Sequence, residues 1–235
     1  MNILKYLKSE IQTFGKYEKI FFPLIIIFIL SISFYMKDDK IALISAICGV
    51  SYSILAGKGK FYCYFFGIMS TFCYGYISFK NTIYGNVLLN LGYYLPMQIL
   101  GIFSWKKNLK QDGTEIVKTK LPLKTQIIYL SLTLLVTIAT YFVIKAMGDK
   151  YPLVDSITTV FSILGMYLTV KRCIEQWYAW IIVNGLSVLM WIFAYLNGSK
   201  CFATILMWLV YFILAFYFLN SWRKEKVFAG EIEKS

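Results

Sequence analysis

One predicted helix carries the side chains best suited to bind a small molecule. On it, Trp177, Trp180, Asn184, Ser187 and Trp191 recur every three or four residues, a spacing that places all five on one helix face. Indole rings stack on flat or cationic ligands, and a carboxamide within an apolar segment needs a hydrogen-bonding partner. The pattern indicates a ligand site inside a membrane bundle. The alternative is that the tryptophans anchor the helix at the lipid interface while Asn184 bonds to a neighbouring helix.

A second polar stripe lies nearer the N-terminus. Asn86, Asn90, Tyr94 and Gln98 recur at every fourth residue, and Pro96 among them predicts a kink. Tyr211 and the shorter strip formed by Asp155, Thr158, Thr159 and Ser162 are weaker candidates. These groups either face a ligand or satisfy one another between helices, and Asp155 can simply start its helix.

Composition sets the class of protein. The 235 residues are 59% hydrophobic and 15% charged, with a mean hydropathy of +0.63, which predicts an all-α polytopic membrane protein. The apolar runs are continuous, unlike the alternating strands of a membrane barrel. The chain has no histidine, which excludes His-based acid–base chemistry and His metal sites. The spacing of its five cysteines is not that of metal ligands. No enzyme activity, metal or cofactor is therefore expected.

Eight apolar segments divide the chain. They cover residues 20–36, 41–57, 61–79, 82–105, 125–146, 152–170, 174–197 and 199–221. The predicted organisation is an amphipathic start with an extra membrane helix (1–36), a three-helix bundle (37–105), a loop and linker helix (106–146), a second three-helix bundle (147–222) and a cytoplasmic tail (223–235).

Basic residues predict the orientation. If the N-terminus is inside, 18 of the 24 Lys and Arg residues lie in inside segments and 6 in outside breaks. The positive-inside rule then places both termini in the cytoplasm. The loop from Lys106 to Lys124 is the natural midpoint of the chain.

A weak internal repeat relates the two sides of that midpoint. A shift of 116 residues places Phe61 on Trp177 and Tyr64 on Trp180. With one further residue, Trp105 falls on Trp222, and basic residues follow both. Three helices on either side of one linker helix would have the same orientation, which gives a parallel repeat (3+1+3) of the kind found in transporters.

Two stretches resemble a known family. The run VDSITTVFSILGMYLTVKRCIEQWYAWIIVNGLSVLMW, with W-x-x-W-x-x-x-N at its centre, and the earlier YYLPMQILGIFSW resemble the bacterial nicotinamide riboside transporters of the PnuC type. The resemblance implies two three-helix bundles joined by a linker helix, a homotrimer in the bacterial cell membrane, and facilitated diffusion followed by trapping through a cytoplasmic kinase.

The resemblance also assigns roles to residues. By motif, Trp177, Trp180 and Asn184 would contact the vitamin, with Gln98, Asn90 and Tyr94 from the earlier stripe and Tyr211 from the last helix. Nicotinamide riboside is a flat pyridinium cation, so indole faces suit it. Two alternatives stay open from the sequence: a carrier of thiamine or another cationic vitamin, and a membrane scaffold or membrane-embedded enzyme. No nucleic-acid partner is expected.

Overall fold

The computed structural model describes residues 13–36, 39–80, 87–111, 113, 115–148, 151–198 and 202–225. They form eight helices: α1 (Glu18–Met36), α2 (Lys40–Gly57), α3 (Cys63–Lys80), α4 (π-helical over Leu88–Tyr94 and α-helical over Leu95–Lys107), α5 (Leu123–Ala146), α6 (Pro152–Val170), α7 (Gln176–Leu196) and α8 (Phe202–Arg223). The predicted all-α class is confirmed. Helix ends lie within three residues of the predicted ones, apart from the start of α4, because residues 82–86 lie outside the described chain.

The π-helical turn of α4 explains how the chain accommodates Pro96. Proline has no N–H to donate into a helix, and its ring clashes with the preceding turn. Here it occupies the first turn of the α-helical part, directly after the wider π-helical segment that contains Asn90 and Tyr94. Such π-helical turns are frequent at functional sites. Asn86, the first member of the predicted stripe, lies outside the described residues.

Helix contacts fall into two groups that share two seams. In the first group α2 packs on α3 and α3 on α4; in the second, α6 packs on α7 and α7 on α8. The groups meet where α4 contacts α6 and where α2 contacts α8. Helix α5 packs on α6, whereas α1 packs on both α2 and α8 and so covers one of the two seams.

The loop between α4 and α5 ties the two groups together at one end. The backbone N–H of Ile116 donates to the carbonyl of Gly59 at 3.0 Å, and that of Thr119 donates to the carbonyl of Arg172 at 3.0 Å. Gly59 and Arg172 both have left-handed backbones, with φ of 68° and 62°. That conformation costs a residue other than glycine about 1–2 kcal/mol. For Arg172 it is offset by the guanidinium group, which donates to the carbonyl of Val117 at 2.7 Å.

A buried ion pair completes this end. The Lys118 side chain is only 3% exposed, is paired with Glu225 just beyond α8, and has its ammonium 4.8 Å from the centre of the Trp222 ring. Burial lowers the pKa of Lys118, and the carboxylate of Glu225 opposes that change. We call this end, formed by residues 58–62, 106–122, 171–175 and 223–225, the basic end. Four of the segments predicted to lie inside the cell therefore share one end of the molecule.

Six of the described helices, α1, α2, α5, α6, α7 and α8, are long and apolar enough to cross a membrane. Helices α3 and α4 are richer in polar and aromatic side chains. They pack on each other and contact α2 and α6 respectively. The two polar helices therefore lie against the seams.

Glu18 attaches α1 to both groups of helices. Its carboxylate accepts hydrogen bonds from the Lys58 ammonium at 2.9 Å, the Tyr217 hydroxyl at 2.7 Å and the N–H of Gly15 at 2.7 Å. We expect Glu18→Gln to lower stability by about 1–3 kcal/mol, because the amide loses the charge-assisted bond and leaves a partly buried Lys58 unpaired. Thermal unfolding in detergent measures the effect.

The control for this prediction is the more exposed pair between Lys110 and Glu115, whose N–O distance is 3.2 Å. Exposed pairs contribute about 0–1 kcal/mol, so Glu115→Gln should change the midpoint little. An equal fall of the thermal midpoint in Glu18→Gln and Glu115→Gln would contradict the proposed role of Glu18 in holding α1 to both groups of helices.

Candidate functional site

The stripe predicted on α7 is buried against the bundle. Trp177, Asn184 and Ser187 are 5%, 6% and 4% exposed, and Trp180 is half-buried. The helical spacing is therefore confirmed, with Asn184 buried and Trp180 packed against a neighbouring helix. What these residues bind stays a prediction.

Trp180 lies against α6. A Cβ atom added to Gly165 would lie 3.0 Å from Cε2 of the indole, so the missing side chain of glycine makes room for the ring. The indole N–H donates to Oγ1 of Thr169 at 3.2 Å, and that hydroxyl donates to the carbonyl of Gly165 at 2.8 Å. These contacts fix one edge of the ring.

Asn184 lies one helical turn beyond Trp180. Although it is buried, its carboxamide forms no hydrogen bond with any residue that the structure describes. Its amide atoms are not among the enclosed polar atoms that lack a partner, so they keep some accessible surface although the residue as a whole is buried. A carboxamide in this state is available to a ligand.

Trp177 has different surroundings from Trp180. Its ring lies 5.4 Å from that of Phe218 with a 30° tilt, and 5.6 Å from that of Trp222 at 82°. Both partners belong to α8, near the basic end. The Trp177 indole nitrogen is buried without an acceptor among the described residues. The structure therefore separates the two predicted indoles, with Trp177 against α8 and Trp180 against α6.

Gln98 is the best-defined member of the α4 stripe. It is 5% exposed, and its Nε2 donates to Oγ1 of Thr71 on α3 at 2.9 Å. Its Oε1 is buried and has no partner among the described residues. Gln98 therefore has an unused acceptor inside the protein.

The other three candidates are distributed around the same core. Asn90 is 6% exposed and is already engaged in an interaction. Tyr94 is half-buried and interacts with Ser162 of α6. Tyr211 fills the space left by Gly49 on α2, since a Cβ there would overlap its hydroxyl. Tyr94, Tyr211, Trp177 and Trp180 belong to one cluster of packed hydrophobic residues.

Helix α6 is a meeting point for the other helices, and Gly165, Met166 and Thr169 on its packed face were not predicted from the sequence. One face of it is formed by Ser162, Gly165, Met166 and Thr169. Ser162 contacts Tyr94 and Met166 contacts Tyr52, whereas Gly165 and Thr169 both contact Trp180. The polar strip predicted for α6 ran through Asp155, Thr158, Thr159 and Ser162, and of these Ser162 lies on the packed face. Of these, Asp155 lies in the first turn, as its alternative role predicted, and the hydroxyl of Thr158 donates within the helix to the carbonyl of Val154 at 2.9 Å. The spacing of small and polar residues at i, i+3, i+4 and i+7 could have revealed the packed face.

The site is chemically neutral. Trp180 packs on Gly165 and bonds to Thr169, and Gln98 packs on Gly67 and bonds to Thr71, and none of these four partners carries a charge. Within the described residues, no group of three His, Cys, Asp or Glu side chains could hold a metal ion.

An apolar groove of about 710 Å³ lies between α5, α6 and α7, not in the space between α4, α7 and α8, the helices that carry Gln98, Trp180 and Tyr211. Indole and amide groups can stack on a ring and exchange hydrogen bonds, but they cannot neutralise an anion.

Glu175 titrates just outside the membrane-spanning part, at the basic end. Its Oε1 accepts the N–H of Leu121 and Nε2 of Gln126, both at 3.1 Å, while Oε2 is buried without a partner among the described residues. Burial raises the pKa of Glu175 above its ordinary value. The folded state therefore favours the protonated carboxyl, and this contribution to stability is lost as the pH rises through the raised pKa.

We expect Glu175→Gln to raise the thermal midpoint at about pH 8, because the amide retains the acceptor without the buried charge. The difference in thermal midpoint between this variant and the wild-type protein should shrink as the pH is lowered to about pH 5. Thermal unfolding at both pH values measures this difference in midpoint. A difference that grows on acidification would contradict a raised pKa of Glu175.

Comparison with known proteins identifies the family. Residues 39–224 match the family described as Nicotinamide mononucleotide transporter. The chain is 31% identical over 195 residues to the nicotinamide riboside transporter PnuC of Neisseria mucosa, which covers 81% of this chain and 74% of that protein. It is 30% identical over 227 residues to the PnuC protein of Haemophilus influenzae, which covers 95% and 97%.

A solved structure has the same fold. The crystal structure of the vitamin B3 transporter PnuC superimposes with a TM-score of 0.79 at 26% identity, and the match covers 90% of this chain and 92% of that one. The family consists of transporters and not enzymes, and with its membrane-spanning helices this chain is a multi-pass bacterial membrane protein. The resemblance read from the sequence is confirmed, and the chain belongs to the PnuC-type family of nicotinamide riboside transporters.

Proposed function

We propose that this protein is a facilitated-diffusion uniporter for nicotinamide riboside. The observation that carries the proposal is the carboxamide of Asn184, a residue only 6% exposed, which lies without a hydrogen-bonding partner among the described residues, one turn from the half-buried indole of Trp180. Trp180 supplies a face for the pyridinium ring, and Asn184 and Gln98 supply hydrogen bonds. The names of the relatives support this substrate.

Paired contacts support the 3+1+3 arrangement. The indole N–H of Trp105 on α4 donates to the carbonyl of Thr169 on α6 at 2.8 Å, and that of Trp222 on α8 donates to the carbonyl of Gly57 on α2 at 2.6 Å. Each seam is thus bridged in the same way. The third helix of either bundle donates an indole bond to the end of the first helix of the other.

Ring contacts refine the register of the repeat. Tyr64 meets Trp105 edge-on, with ring centres 5.1 Å apart, as Trp177 meets Trp222 at 5.6 Å. This pairing favours an offset of 113 residues between α3 and α7, in place of the 116 expected from the sequence, and it keeps the offset of 117 that already related Trp105 to Trp222.

The refined register accounts for the unpaired carboxamide. In the first bundle, Thr71 and Gln98 form a hydrogen bond. In the second, the corresponding positions are Asn184 and Ala215, and the alanine has no group to pair with the amide. The divergence of the two repeats therefore leaves Asn184 available to the substrate.

The neutral site favours the riboside over the mononucleotide after which the family is described. A phosphate group brings about one and a half to two negative charges at neutral pH, and burying it needs a paired cation. The described contacts of Trp180 and Gln98 include no lysine or arginine. A cationic ring with neutral substituents meets no such penalty.

The charges of the spans favour uniport. Ion-coupled carriers usually have carboxylates or bases deep in the membrane. Among the described residues of the spans, the acidic ones are Glu18 and Asp155, each in the first turn of its helix. Transport would then run to equilibrium by rocking of the two bundles at their seams, and a cytoplasmic kinase would trap the product.

The charge bias of the basic end supports cytoplasmic termini. A homotrimer remains the proposed assembly, on the basis of the family resemblance.

Titration calorimetry on the purified protein tests the substrate. Nicotinamide riboside should bind, whereas nicotinamide mononucleotide and thiamine should bind at least tenfold more weakly, a difference of about 1.4 kcal/mol. Preferred binding of thiamine or the mononucleotide would reject the proposal.

Uptake of nicotinamide riboside into vesicles tests uniport. Uptake should stop when its concentrations inside and outside are equal, and it should be insensitive to proton and sodium gradients. Accumulation driven by either gradient would reject uniport.

A further inference from the structure

We propose that Tyr52, together with Gln98, recognises the carboxamide of the substrate. The inference rests on the proposed function and adds to it a specificity-determining residue that the sequence motifs do not contain. Tyr52 belongs to α2, and Gln98 to α4, so the pair comes entirely from the first bundle.

Gly67 of α3 brings the two side chains together. A Cβ atom at this position would lie 2.8 Å from Cδ2 of Tyr52 and 3.2 Å from Cδ of Gln98. Both groups therefore lie over the glycine, in the space that any larger residue would occupy. The offset of 113 residues also relates Gly59 to Arg172, the left-handed residues after α2 and α6, and it relates Gly67 to Trp180 and Tyr52 to Gly165. Each bundle thus seats one aromatic ring on a glycine, but the ring comes from the first helix in one bundle and from the second helix in the other.

The hydroxyl of Tyr52 has almost no hydrogen bond of its own. Its partner among the described residues is the thioether sulfur of Met166, 3.8 Å away on α6, and thioethers are weak acceptors. Buried tyrosine hydroxyls usually find a strong partner. The Oε1 atom of Gln98 is buried and has no partner among the described residues. The two side chains that border Gly67 therefore carry a donor and an acceptor with unused capacity.

A carboxamide matches this pair. Its carbonyl can accept from the Tyr52 hydroxyl, and its NH₂ group can donate to Oε1 of Gln98. A ring that lacks the carboxamide leaves both groups unsatisfied, and sites built in this way discriminate strongly against ligands that cannot pair. Tyr52 contacts Met166, which follows Gly165 on the packed face of α6, and Trp180 lies on Gly165, so we expect ring stacking and amide recognition to act on one ligand.

Calorimetry with two ligands tests the assignment. The probes are nicotinamide riboside and the N-ribosylpyridinium ion, which lacks the carboxamide. In Tyr52→Phe, which keeps the packed ring, the riboside should bind about tenfold more weakly, while the pyridinium ion should change less than about twofold. Unchanged riboside affinity, or equal losses for both ligands, would overturn the inference.

The matched control is Tyr93→Phe. The hydroxyl of Tyr93 donates to the carbonyl of Ile163 at 2.8 Å, so its bond is internal and its removal should leave the ratio of the two affinities unchanged. The wild-type protein gives a measurement that needs no variant: it should prefer the riboside to the pyridinium ion by about tenfold or more, and equal binding would also overturn the inference. A wild-type protein that binds neither ligand would instead refute the proposed function.

Discussion

Replacing Trp180 with alanine is expected to abolish measurable binding of nicotinamide riboside while the helices remain folded. The indole supplies stacking area and a cation–π contribution of about 0.5–2 kcal/mol, and loss of a central tryptophan typically costs a binding site at least about 2 kcal/mol. The affinity should therefore fall by roughly 30-fold or more. Calorimetry on purified protein measures the loss.

Trp180→Phe separates the contributions of the ring. Phenylalanine keeps an aromatic face beside Gly165 but loses the N–H bond to Thr169. Its affinity should lie between those of the wild type and the alanine variant. Gel filtration and the thermal midpoint check folding, since Trp180 is only half-buried and its removal should destabilise less than the 3–5 kcal/mol typical of a core tryptophan. A titration of Trp180→Ala like that of the wild type would end the assignment.

Asn184→Ala should also lower the affinity, by about 10- to 100-fold, because one or two hydrogen bonds to the ligand are lost. Its effect on stability distinguishes the two interpretations of this residue. If Asn184 holds neighbouring helices together, the variant should be less stable. If its carboxamide is unpaired in the ligand-free protein, the thermal midpoint of that protein should stay about the same, because the substitution removes no hydrogen bond within the protein.

The matched control is the same substitution at Asn197, at the C-terminal end of α7. That side chain is exposed and donates to the carbonyl of Phe193 at 2.7 Å. Asn197→Ala should therefore leave binding unchanged. A ligand-free Asn184→Ala protein with a clearly lowered midpoint and normal affinity would support the structural role and remove Asn184 from the site.

The neutral site has a consequence for selectivity. In the proposed site, recognition would depend on an aromatic face and on amide and hydroxyl groups, and the bonding and packing partners Gly67, Thr71, Gly165 and Thr169 carry no charge. Such a site distinguishes ligands by the groups they fail to pair, because an unpaired buried donor or acceptor carries its full desolvation cost. Asn184, Gln98 and Tyr52 are the groups through which this discrimination would act.

Local patterns in the sequence determined the helices and their buried faces. Hydropathy and periodicity depend on residues a few positions apart, so the helix ends, the buried stripe through Trp177, Trp180 and Asn184, and the basic segments could all be predicted from them. The motif around Trp180 was specific enough to indicate the family. These features do not depend on which helices become neighbours.

Only the tertiary structure decided which partners these faces have. Trp177 and Trp180 are equivalent in the motif, yet one packs on α8 and the other on α6. The roles of Gly67 and Gly165 depend on rings that arrive from other helices, and the unpaired state of Asn184 depends on what lies opposite it on α8. Helix packing is set by shape complementarity between residues far apart in the chain. The pattern within a single helix specifies a buried face, but it does not specify the groups that the face meets.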